Sequence, residues 1–442
     1  MKKTKYLLKS QVLLASLILS QAASFNVHAE LNRKTCKIFT ADRVFDGNTV
    51  LGLPYGPKMA VVIDKGRINQ VLPAAEIDFK CRKNRDLGDS TILPGAVESH
   101  AHIGFQNVKQ DVVLKNGVTT ARDVGGLLTP PTGGKGQLRL VNTGPIIQAP
   151  HGYPLNLFGG HGDEGEDDHH AATIAVEAMD VDHAIEHVEH IANSGAVAIK
   201  VALERGGEHG APWSGGHGHG GGDTDGPAPG EWPILSKEIL EAIVTAAHDK
   251  GLPVLAHAGE QEGFDLAVKA GVDEFAHLPC AEISQESIFS AVAAGIRFQT
   301  TSDTLSSCHG INANMHNILH AEQHLIEAGV LTEKAVVLYA SEIGHDDVPW
   351  GINAQELVNN LMSFAGHNPV DFSHVLRTLR GMTSIPGHLI GVQIDEPLLG
   401  TLMPGAPADM IAVKGNAIER FKLLENPELV IAGGKVVKNE YK

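Results

Sequence analysis

Short β-branched runs alternate with amphipathic helices through the middle of this chain, and that alternation leaves few architectures open. Ala184–Asn193 has helical spacing and leads into a strand at Ala196–Lys200. Leu235–Lys250 reads as a helix capped by Ser236 and stopped by Gly251, and Pro253–His257 follows as a strand. Gly263–Ala270 and Glu274–His277 repeat the unit, and upstream a helix ending at Asn116 precedes a strand at Gly117–Ala121. Tandem units of this kind pair their strands in parallel, so the middle is expected to be a parallel sheet or barrel with helices outside it. The stretch 205–231 interrupts the alternation. It is rich in glycine and histidine and reads as a flexible insertion after the fourth strand.

The two ends read as β-structure. Lys37–Thr40, Met59–Ile63 and Ile68–Leu72 are short runs separated by turns of Gly, Asp and Asn. Met410–Val413 and Leu429–Ala432 are similar, with Gly433-Gly434 turning the chain into Lys435–Val437. Strand-rich ends around one long middle predict a small β-sandwich made from both termini, residues 30–93 and 397–442, attached to a unit at 94–396. Before it lies a segment with the form of a secretory signal peptide, residues 1–29: Lys2, Lys3, Lys5 and Lys9, a short apolar core at Val12–Leu19, and Val27-His28-Ala29 as the cleavage site. The apolar run is shorter than the roughly 20 residues of a membrane span. The expectation is a periplasmic or secreted protein. That compartment permits disulfides, and the positions of the four cysteines favour Cys36 with Cys81 and Cys280 with Cys308.

A formal net charge of −17 argues against nucleic acid and against a polybasic membrane contact. The 24 histidines, against 5 tyrosines and 3 tryptophans, point instead to metal. Their placement matters more than their number. His100 and His102 lie two residues apart at the end of a run that begins at Thr91, so both point to one side of a strand. His257 and His277 end two further strands, and Lys200 ends the strand before His257. Active sites of parallel αβ barrels form at the C-terminal ends of the strands, so these five side chains are expected at one mouth.

Four segments, in order, resemble the amidohydrolase superfamily. Thr91–His102 (TILPGAVESHAH) is similar to its opening motif, and Gly117–Asp123 (GVTTARD) to its second-strand segment. Gly159–Asp163 (GGHGD) resembles a loop of the imidazolonepropionase-like and Xaa-Pro dipeptidase-like branch, and Gly400–Asp409 (GTLMPGAPAD) the closing segment. The resemblance implies a (β/α)8 TIM barrel and a hydrolase cleaving an amide or peptide-like C–N bond in a small substrate, of the dipeptide or N-acyl amino acid class. It implies two divalent metal ions, zinc by ligand type, and a metal-bridging hydroxide. His100 and His102 would hold one ion, His257 and His277 the other. Lys200 would be carboxylated and bridge them.

The chain departs from the family at the eighth strand, where a catalytic Asp is expected and Ala340-Ser341-Glu342 stands. Glu342 is the first choice as base, and Asp346 or Asp347 just beyond it are the alternatives. His161, Tyr153 and Arg122 are candidate substrate-binding residues. His257-Ala-Gly-Glu260 is similar to a one-metal deaminase motif in which Glu260 would handle protons, although Lys200 speaks against that reading. A periplasmic metal-binding protein with little turnover is the other alternative. Whether the chain forms a homo-oligomer stays open.

Overall fold

The computed structural model describes residues 31–158, 173–212, 232–345 and 347–441. The expected signal segment, the loop with His161, most of the 205–231 insertion and Asp346 lie outside the described residues. The fold is mixed α/β, and two of its sheets are mainly parallel. In one, Ala96–Ala101, Val118–Asp123 and Gln137–Asn142 run parallel in that order, with Thr132–Gly134 antiparallel at the edge. In the other, the order is Ala175–Glu177, Ile146–Gln148, Ile199–Ala202, Val254–His257, Glu274–Phe275, Arg297–Gln299 and Val337–Leu338, all parallel. The helices that alternate with these strands follow the expected pattern: Ser236 caps Lys237–Asp249 by accepting a hydrogen bond from Ile239 N.

The strand ladders remain two open sheets and do not join into one ring. They meet at two seams. Gln137–Asn142 belongs to the first sheet and Ile146–Gln148, a few residues later, to the second, and Val197 N donates to Asn142 O at 3.0 Å beside that handover. At the far side Ala101 bridges Ile343, and His102 N donates to Ile343 O at 2.7 Å. The ladder thins here because the edge strand Val337–Leu338 has only two residues.

Strands from both ends of the chain share one six-stranded sheet, in which Met410–Lys414 pairs antiparallel with Ser90–Pro94. A four-stranded sheet of Lys37–Ala41, Met59–Asp64, Arg67–Pro73 and Lys83–Asp86 packs against it. Phe39, Val61 and Ile68 from the second meet Ile92, Met410 and Ile431 from the first in one buried cluster. The run expected as one strand from Thr91 to His102 is two, Ser90–Pro94 and Ala96–Ala101, divided at Gly95. A Cβ at Gly95 would lie 2.2 Å from the Thr119 side chain. Only a bare backbone fits where the chain crosses from one sheet to the other.

Both expected disulfides form, Cys36–Cys81 and Cys280–Cys308. No helix among the described residues is long and apolar enough to cross a membrane. Under the second sheet, Phe264 of the helix Gln261–Ala270 stacks on Phe275 with ring centroids 4.3 Å apart, and Phe275 lies 5.3 Å from Phe298 on the next strand. All three are fully buried, and this stack locks the strands that lead to His277. Phe275→Ala is expected to destabilise the protein by about 3–5 kcal/mol, through lost burial and a residual cavity. Urea unfolding followed by circular dichroism measures it.

Candidate metal centre

The i, i+2 spacing holds in three dimensions: His100 and His102 face the same side of Ala96–Ala101, with ring centroids 5.3 Å apart. The His100 Nδ1 faces two acceptors, the carbonyl of Ala276 and Gln299 Oε1, the latter at 2.9 Å. Nδ1 therefore carries the proton and donates, which leaves Nε2 as a lone pair pointing into the mouth. Gln299 is itself oriented, because its Nε2 donates to Glu274 Oε2 at 2.9 Å. Arg122 completes the layer, donating to Glu274 Oε2 at 2.5 Å and through Nε to Ser99 O at 3.0 Å.

Glu342 enters from the loop after Val337–Leu338, with φ at 63°. That left-handed conformation is uncommon for a residue with a Cβ. Its Oε1 lies 3.7 Å from His100 Nε2 and 3.8 Å from His102 Nε2. Lys200 Nζ sits 3.4 Å from His100 Nε2. On the other side of the mouth His277 Nε2 is 2.7 Å from His257 Nδ1, and His257 Nε2 is 3.2 Å from Glu208 Oε2. Two three-residue groups result, His100–His102–Glu342 and Glu208–His257–His277, each with its ligand atoms within 4.8 Å of one another.

Burial holds all four histidines well below the ordinary imidazole pKa, so each presents a neutral ring. Burial also lowers the Lys200 amine, against the opposing pull of Glu342, and raises the Glu342 carboxyl, against the pull of Lys200. Glu342 Oε2 and His102 Nδ1 are buried and have no hydrogen-bond partner among the described residues. Neutral imidazoles, buried carboxylates and an orphaned carboxylate oxygen are a donor set that fits divalent cations.

The five expected ligands thus come together, with Glu342 beside them. Tyr153 also lines the cleft and stacks on His257, centroids 4.5 Å apart. Arg122 does not line it: the guanidinium is buried in its pairing with Glu274, which leaves no face for a substrate carboxylate. Asp347 is exposed. Glu260 turns toward the 204–208 loop, accepting from Arg205 N at 3.0 Å, rather than toward the imidazoles. That placement disfavours the deaminase geometry. The described start of the expected flexible insertion carries Glu208 into the site. Glu98, inside the first motif, is a second residue that spacing did not single out. It accepts from His100 N and Ser341 N at 3.0 Å and from Ser341 Oγ at 2.6 Å. Burial pushes its pKa up to about 7. Gln299 is a third, visible only once the strands are assembled.

The cleft above these groups has a polar floor and an apolar wall of Phe105, Ile146, Tyr153, Phe158 and Ile174. Its empty space is about 430 Å³ including the part open to solvent.

No family model matches the chain. In sequence it is similar to the ochratoxinase of Aspergillus niger, 28% identical over 218 residues, a match that covers 46% of this chain and 42% of that protein. In structure it is similar to a Xaa-Pro dipeptidase with bound methionine in its active site, with a TM-score of 0.67 and 21% identity, covering 92% of this chain and 100% of the other. It is similar also to the structure of the A. niger ochratoxinase, with a TM-score of 0.64 and 19% identity over 92% of this chain and 96% of the other. The chain therefore has the fold of the amidohydrolase superfamily, and the relatives it matches in sequence and structure are hydrolases of that superfamily.

Proposed function

We propose that this chain is a metal-dependent amidohydrolase of the periplasm or the extracellular space, cleaving an amide or peptide-like C–N bond in a dipeptide or N-acyl amino acid. The two parallel sheets are taken as the two parts of one (β/α)8 barrel, with the sandwich formed from both termini beside it. The observation that carries the reading is the pair of His-carboxylate groups in one cleft, with Lys200 against His100. The first ion would rest on His100 and His102, with the Glu342 carboxylate beside it, and the second on His257 and His277. Zinc suits these ligands. Two such ions, when bound, polarise the scissile carbonyl and lower the pKa of water toward about 7.

The chain's own groups account for the remaining steps. The buried, neutral form of the Lys200 amine is the form that attacks carbon dioxide: an N–C bond forms, the nitrogen loses a proton to solvent, and an anionic carbamate with two oxygens results. Placed between the two groups, that carbamate faces both. Glu342 has one oxygen toward the imidazoles and the other without a partner among the described residues, so it can take a proton from the attacking water and deliver it to the departing nitrogen. The apolar wall excludes water and receives an uncharged side chain or acyl group.

A panel of dipeptides and N-acyl amino acids, assayed with zinc and with manganese, is expected to contain turned-over substrates, those with apolar or aromatic side chains first. Metal retention with no turnover anywhere on the panel would favour the metal-binding alternative, and ammonia release from nucleobase analogues alone would favour the deaminase. His100→Ala should lose at least one metal equivalent per chain by elemental analysis. Glu342→Gln should keep most of the metal and lower kcat by about 100-fold or more, the scale of general acid–base catalysis. Glu342→Asp should also lower kcat, by roughly 100-fold, because losing one carbon withdraws the carboxylate by about 1.5 Å from a site shaped around the longer side chain. Equal or higher activity of Glu342→Asp would show that the site is not fitted to glutamate.

A further inference from the structure

The strand Ile199–Ala202, which carries Lys200, runs on into Leu203, Glu204, Arg205, Gly206 and Gly207 before reaching Glu208. Three carboxylates meet where this loop faces the end of the His257 strand, and they do different work. Glu204 accepts from Gly206 N at 2.6 Å and from Gly259 N at 3.1 Å, and Glu260 accepts from Arg205 N at 3.0 Å. Those two hold the loop's backbone; Glu204 Oε2, already shared by Gly259 N, lies 3.8 Å from His257 Nε2, farther than Glu208. Glu208 is 1% exposed and extends inward, its Oε2 at 3.2 Å from His257 Nε2.

The space for that side chain is built in. A Cβ at Gly259 would lie 2.0 Å from Glu208 Cγ and 2.2 Å from its Oε1, so any other residue at 259 would occupy the path the carboxylate takes. A Cβ at Gly207 would lie 2.0 Å from Glu260 Oε2, which makes the second glycine necessary for the loop to close over Glu260. The far side is also fixed. His209 O is 3.3 Å from the sulfur of Cys280, within the Cys280–Cys308 disulfide, and a Cβ at Gly210 would lie 2.4 Å from Ser307 O. The carboxylate is thus held against two imidazoles from one side by bare glycines and from the other by a crosslinked pair of loops.

We infer that Glu208 is a direct ligand of the second divalent ion, together with His257 and His277. Two imidazoles and one carboxylate, all buried, make a zinc-type ligand set with a coordination position left over. The negative charge they need is encoded in the chain. The second ion is therefore retained whether or not Lys200 is carboxylated, and Lys200 serves to join the two ions rather than to hold the second. The inference rests on the two-ion reading of the cleft.

The test uses the full mature protein, loaded with zinc, dialysed, and analysed for metal per chain, with zinc affinity measured by chelator competition. Wild type should hold two equivalents. Glu208→Gln should hold one tightly and bind the second more than 100-fold more weakly, beyond the 10–100-fold typical of a residue that only supports a ligand. Lys200→Met should still take up the second equivalent. With cobalt in place of zinc, the visible spectrum of the second equivalent should change in Glu208→Asp, a variant that keeps a carboxylate; an unchanged spectrum there overturns the assignment, even where Glu208→Gln fails to fold. Two full-affinity equivalents in Glu208→Gln, with one lost in His257→Ala, would remove Glu208 from the shell and leave the two-ion reading standing. One equivalent in wild type, unaffected by His257→Ala, would overturn both.

Discussion

Glu98 ties the two parallel sheets together at the point where the chemistry sits. Its carboxylate takes one hydrogen bond from the backbone of His100 on the first sheet and two from Ser341 at the end of the second. The ladder is thin here, with one bridge between Ala101 and Ile343, and Glu98 supplies bonds that backbone pairing does not. The same contacts place His100 and Glu342 opposite each other, because Glu98 holds His100 directly and Ser341, the neighbour of Glu342. A fully buried carboxyl with three donors is costly to leave unsatisfied, so the registry of the two strand ends and the satisfaction of Glu98 are one requirement.

Beneath the mouth, a second buried set fixes the direction of the first histidine. Arg122, Glu274, Gln299 and His100 form one chain of hydrogen bonds across neighbouring strands. A buried ion pair such as the one at its base adds little net stability, since replacing such pairs with apolar residues is often neutral or favourable. Its consequence is orientational: it sets the amide of Gln299, which sets the tautomer of His100. The guanidinium that sequence placed among substrate contacts is therefore committed two steps below the cleft.

The opposite half of the cleft is organised by loops. The Cys280–Cys308 crosslink joins the segment after His277 to the segment after the Arg297–Gln299 strand, and its sulfur abuts the loop carrying Glu208. Strand ends bring His257 and His277 close, while the crosslink and the glycines at 207 and 259 determine how near a carboxylate can come. The apolar wall opposite, with Tyr153 stacked on His257, bounds the cleft.

The βα alternation, the shared sheet of the two termini, the cysteine pairing and the convergence of His100, His102, Lys200, His257 and His277 were all legible in the chain. Each depends on a local period or on a residue's place at a strand end, and such patterns survive in one dimension. Glu342 was reachable for the same reason. Glu98, Glu208 and Gln299 were not, because what they do depends on partners 243, 49 and 199 residues away, and nothing local marks a polar side chain that will be buried among such partners. The same limit applies to Arg122, which as a sequence position could equally contact a substrate carboxylate or be structural, and which pairs with Glu274 on a distant strand. Sequence determined which strand ends face one another; only the packed structure decided which polar side chains are consumed in holding those ends and which are left to face a ligand, because burial forces every polar atom to find a partner and the partners are chosen in three dimensions.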